Sequence, residues 1–168
     1  MQGLVILGIF LWGSIILGVI LGIIKCVQQE KFKKHILNSD VLYYKDFEKG
    51  WLSMSGNAKS GVRDGFKYRD RSGCYAITIY DNPVTDGDWE NYENIYIGQS
   101  VRVYQRVHNH FNGKGNGDVY ADIKYGKWVY VRFVLCEEHE MNDMEMKLIA
   151  MFDATKSYNK TKGGSTYR

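Results

Sequence analysis

Six residues of reactive type fall in order along the chain: Tyr75, Tyr96, Arg106, His110, Glu145 and Asn159. Arg106 follows Tyr96 by ten residues and His110 follows Arg106 by four, so on a helix the two project from one face. A guanidinium there can grip a phosphate through two parallel hydrogen bonds. Glu145 has Met141, Leu148 and Ile149 as its helical neighbours, which puts a carboxylate on or beside an apolar stripe. An unpaired carboxylate is costly to bury, and a divalent cation with oxygen ligands, Mg²⁺, would be a suitable partner. Together these groups match what phosphodiester hydrolysis requires. It needs a base for water, a cation on the non-bridging oxygens, a metal at the phosphate and leaving oxygen, and a frame to hold them.

The elements that must position these groups follow from periodicity and turn chemistry. Residues 74–80 and 94–98 are β-rich and flank the Asp-, Asn- and Gly-rich run 81–93, which predicts a hairpin with a long loop. Tyr75 and Tyr96 then sit on its two strands. A helix is expected over 101–111, with Ser100 as its N-cap. A loop over 112–118 and a short helix to 125 come next. Trp128, Tyr130 and Arg132 alternate with Val129, Val131 and Phe133, as in a third strand. An amphipathic helix over 141–153 carries Glu145. The expected fold is α+β, a small antiparallel three-stranded sheet flanked by helices and preceded by a single transmembrane helix.

The runs Gly73-Cys74-Tyr75 and Tyr96-Ile97-Gly98, with Arg106, His110, Glu145 and the pair Tyr158-Asn159 after them, resemble the GIY-YIG nuclease superfamily. The likeness covers residues 72–164. It implies that Tyr75 and Tyr96 line an active site, that either phenol is a candidate base, that Glu145 is the metal ligand, and that Asn159 fixes the site by hydrogen bonds. Cys74 stands where Ile is usual, and Gln99 follows the second motif where some relatives carry Lys. The tripeptide His108-Asn109-His110 is no HNH signature, which is dispersed over a different fold, and His108 reads as a surface residue.

Net charge is +3, from 22 basic and 19 acidic residues, which allows a nucleic-acid partner without requiring one. Lys156, Lys160, Lys162 and Arg168 make the C-terminal end basic and suited to a phosphate backbone. Three cysteines without a CxxC pair argue against a disulfide framework or a zinc site. Residues 3–24 are apolar apart from Ser14, and as a helix they would extend about 33 Å, the thickness of a hydrocarbon core. Lysines crowd the C-terminal flank of this run, which predicts an N-terminus outside and the remainder cytoplasmic, in a cell (inner) membrane. Gly18 and Gly22 form a GxxxG pair through which two copies could approach as a homodimer. The expected organisation is a transmembrane helix over 1–24, a juxtamembrane helix and linker over 25–70, and a nuclease domain over 71–168. The expected activity is a membrane-anchored, Mg²⁺-dependent endonuclease acting on DNA, with the lipid bilayer as a second partner. Such placement suits action on incoming foreign DNA, as in phage defence. The alternative is an inactive module of the same fold that binds DNA or a protein.

Overall fold

The structure is a computed structural model describing residues 2–55 and 71–163, with side chains described for 16–51 and 71–163. In chain order the elements are α1 (Gln2–Leu37), β1 (Leu42–Tyr43), α2 (Tyr44–Ser55), β2 (Gly73–Tyr80), β3 (Asn94–Ser100), α3 (Val103–Phe111), α4 (Gly117–Lys124), β4 (Trp128–Leu135) and α5 (Met141–Met151). Single 3-10 turns stand at Glu138–Glu140 and Ala154–Lys156. The chain divides into two compact units, residues 1–35 and 36–168.

The second unit is built on an antiparallel sheet of order β1-β4-β2-β3. The sheet has four strands, which corrects the three expected. The extra strand is Leu42–Tyr43, which pairs with Val131 and Tyr130. Two residues are too short for a period-2 pattern to show, and pairing with β4 is what makes them a strand. β2 is buried along its whole length because both of its faces are covered. On one face Tyr75, Ile77 and Ile79 pack with Val129 and Val131 against Phe47, Val103, Val107, Phe111 and Val119 from the helices. On the other face α5 approaches, with the Cys74 thiol 3.5 Å from the Met141 carbonyl and Leu148 and Ile149 buried. Arg132 is fully buried on this second face. Its Nε donates to the Leu37 carbonyl at 3.0 Å, its Nη1 donates to Thr78 Oγ1 at 3.1 Å, and its guanidinium lies 4.5 Å from the Trp89 ring centre. A cation at the C-terminal end of a helix is favourably placed toward the unpaired carbonyls there.

The expected membrane span is also corrected. Among the described residues no helix is long and apolar enough to cross a membrane. A span needs about 20 consecutive apolar residues. α1 runs past the apolar residues that end at Ile24. The helix then continues without a break through Lys25, Glu30, Lys31, Lys33 and Lys34 to Leu37. Single-pass topology and the inner-membrane location fall with the span. Residues 3–15 of that apolar run lie outside those with described side chains, and residues 56–70 of the juxtamembrane helix and linker expected over 25–70 lie outside the described residues, as do Gly164 and Arg168. Gly18 and Gly22 have nothing within 4 Å of a built Cβ.

Ser100 is not the cap of the following helix. It is the last residue of β3, and its hydroxyl accepts the Arg102 N–H at 3.0 Å in a turn that delays the helix to Val103, with Arg102 in the cap position.

Candidate active site

The hairpin register sets the first wall of a cleft. Tyr75 lies opposite Gly98 and Tyr96 opposite Ile77, so both phenols project from the same face, with ring centres 6.3 Å apart. Tyr75 is only 1% exposed, and Tyr96 is half-buried. Gly98 is needed for its lack of a side chain: a Cβ there would fall 2.3 Å from Tyr75 Oη. α3 buries Val103, Val107, His110 and Phe111, which turns Arg106 toward the same space. The His110 ring lies 5.6 Å from Tyr75 and 4.9 Å from Tyr96.

The protonation of this wall can be read from its hydrogen bonds. The Asn116 backbone N–H donates to His110 Nδ1 at 2.6 Å, so that nitrogen carries a lone pair and the ring proton sits on Nε2. Nε2 therefore donates to Tyr75 Oη, 2.9 Å away. Burial, aided by the Arg106 charge, lowers the His110 pKa to about 3, so the ring is neutral at ordinary pH. Burial also raises the Tyr75 pKa well above 10, as does neighbouring Tyr96. The Arg106 guanidinium pulls the other way through its charge and a hydrogen bond to the phenol. Two donors thus meet at the Tyr75 oxygen, and its own O–H is left to donate elsewhere. The loop before α4 closes over the imidazole, since a Cβ on Gly115 would lie 2.4 Å from His110 Nδ1.

The second wall comes from α5 and the chain after it. Glu145 is half-buried one turn before the buried pair Leu148 and Ile149. Its Oε2 accepts Gln99 Nε2–H at 3.0 Å. The Gly163 turn packs on the same carboxylate, where a Cβ would come 3.0 Å from Oε2. Asn159 closes the free edge of β3. Its Oδ1 accepts the Ile97 N–H at 2.8 Å and its Nδ2 donates to the Ile97 carbonyl at 2.7 Å. An extended backbone would make the same pair of bonds, so the side chain stands in for a further strand.

The cleft between these walls has a volume of about 450 Å³. Tyr75, Tyr96, Arg106, Glu145, Asn159 and Lys160 line it, and His110 stands behind Tyr75. Lys156 and Lys162 do not line it, and Lys156 is paired with Asp153 at 3.0 Å. His108 is half-buried against α2, with Nδ1 3.0 Å from Glu48 and its ring stacked on Trp51, which accounts for it structurally. Asn116 and Asp118 also line the cleft, although nothing in their spacing singled them out. A Gly-Lys-Gly-Asn-Gly run reads as an ordinary loop until its backbone is seen to meet His110. Among the described residues no group of three or more His, Cys, Asp and Glu is placed to hold a metal ion. The Glu145 carboxylate facing an open cleft still fits Mg²⁺, which keeps most of its waters and takes further oxygens from a phosphate. No family model, curated protein or solved structure matches the chain.

Proposed function

We propose that the chain is a metal-dependent endonuclease of the GIY-YIG kind that hydrolyses phosphodiester bonds of DNA. One observation carries this reading: two phenols, a guanidinium and a carboxylate, from β2, β3, α3 and α5, face a single cleft. The order of those residues along the chain supports it further. Arg106 grips non-bridging phosphate oxygens, and Tyr75, protonated and oriented by His110, donates its O–H to one of them. Tyr96 is half-buried and lacks the closed surroundings of Tyr75, so it is the phenol with room for the attacking water and takes the role of base. Glu145 would hold a divalent cation, which when bound neutralises charge developing on the phosphate and the leaving oxygen. Asn159 ties β3, which carries Tyr96 and Gly98, to the chain that follows α5. Lys160 lies at the rim, where a phosphate backbone would pass.

The test is supercoiled plasmid incubated with the full chain, with and without Mg²⁺, beside Glu145→Ala and Tyr96→Phe. Nicking that requires the metal and falls by at least about 100-fold in both variants is expected. Plasmid binding without nicking would replace the enzyme with a DNA-binding module, and neither binding nor nicking would sink the proposal.

A further inference from the structure

We infer that Gln99 is a positioning residue that sets how Glu145 meets a divalent cation; this rests on the nuclease reading above. Successive residues of a strand point to opposite faces. Gly98 therefore attends Tyr75 on one side of the sheet, and Gln99 reaches α5 on the other. The Gln99 side chain is half-buried, and its Nε2 makes two bonds, one to Asn142 Oδ1 at 2.6 Å and one to Glu145 Oε2 at 3.0 Å. Asn142 precedes Glu145 by three residues, so both acceptors lie on one face of α5, and a single amide spans them.

The orientation of that amide is determined. Nε2 carries two hydrogens, and the two acceptors use both. Turning the amide over would set its oxygen against the Asn142 oxygen and a carboxylate, with no hydrogen between them. The Gly163 turn lies against the same carboxylate. Glu145 is thus held between a strand and a turn, and its aim does not depend on its own rotamer preference.

The charge of the bracket matters as much as its shape. An amide orients a carboxylate without itself bringing a positive charge to it. A lysine at 99 would pair with Glu145 and compete with the metal directly. Gln99 therefore makes the carboxylate a stronger metal ligand than a cationic neighbour would allow. A partner that orients a metal ligand typically contributes about 10- to 100-fold in metal affinity.

The experiment is Mn²⁺ binding to the full-length chain, followed by the electron paramagnetic resonance of unbound Mn²⁺. The Mg²⁺ concentration for half-maximal plasmid nicking is measured in parallel. Gln99→Lys should weaken Mn²⁺ binding and raise the half-maximal Mg²⁺ by about tenfold or more. Gln99→Met, close in size and unable to donate, should shift both in the same direction by less. Its thermal midpoint, measured in the same samples, separates metal loss from unfolding. Wild-type affinity in both folded variants would overturn the role of Gln99 and leave the nuclease reading standing. A wild-type chain that neither binds Mn²⁺ nor nicks DNA would overturn both.

Discussion

The two walls of the cleft are built on opposite principles. The Tyr75 wall is dry and closed. Its imidazole is neutral, its phenol is protonated, and glycines at 98 and 115 leave no room for a methyl group. The Glu145 wall is half-exposed, with a carboxylate held by an amide and a glycine turn. Burial penalises charge, so the dry wall carries neutral donors beside the Arg106 guanidinium. The wetter wall can carry an anion at little cost. The proposed nuclease would gain from this division: rigid donors would face one side of a phosphate and the Glu145 carboxylate the other.

Paired alanine substitutions test that difference most strongly. Gly98→Ala drives a methyl group into Tyr75 Oη in a packed interior. It should cost about 1–3 kcal/mol of stability in denaturant titration and lower nicking about 100-fold by displacing the phenol. Gly163→Ala meets the end of a side chain that can shift, although its φ of +81° adds backbone strain. Its effect on nicking should be at least tenfold smaller. Equal losses from the two substitutions would remove the distinction between the walls.

The neutral imidazole gives a smaller effect, read in pH. His110 has its pKa lowered to about 3 in the folded chain, below the ordinary 6.5. Between those values the unfolded chain binds a proton that the folded chain refuses. Stability should therefore fall as pH drops below about 6.5 and stop falling from this source below about 3. Thermal melts at pH 7 and pH 4.5 should show a larger loss for the wild type than for His110→Gln, which has nothing to titrate there. Parallel slopes would mean that His110 takes up a proton in place.

The smallest expected effects lie on the surface. Lys160→Ala should weaken DNA binding and reduce the slope of log K against log salt by about one. Lys156→Ala should change binding by less than about twofold, since that lysine is exposed and already paired with Asp153. Salt titrations of both variants decide this, and equal slopes would place the DNA across a wider face than the cleft.

The limits of the sequence reading have physical causes. The hairpin was legible because Cys74–Tyr80 and Asn94–Gly98 are β-rich on either side of a turn-forming run, and its register follows from pairing across that loop. The edge strand β1 was not legible, since two residues carry no period. Ser100 had the chemistry of a helix cap, but a turn intervened. The apolar run near the N-terminus suggested a membrane helix, and among the described residues no helix is long and apolar enough to cross a membrane. Asn116 meets a partner six residues away on α3 and Gln99 one 46 residues away on α5, distances at which local patterns are silent.

By itself the sequence determined which residue types are present, the faces they share within a strand or helix, and the order of those elements, because these depend on neighbours a few residues apart. Only the tertiary structure decided that Gly98 makes room for Tyr75, that a backbone amide sets the tautomer of His110, and that Gln99 aims Glu145. Each of these is a distance of about 3 Å or less between groups on different elements, and such distances are set by how the elements pack together.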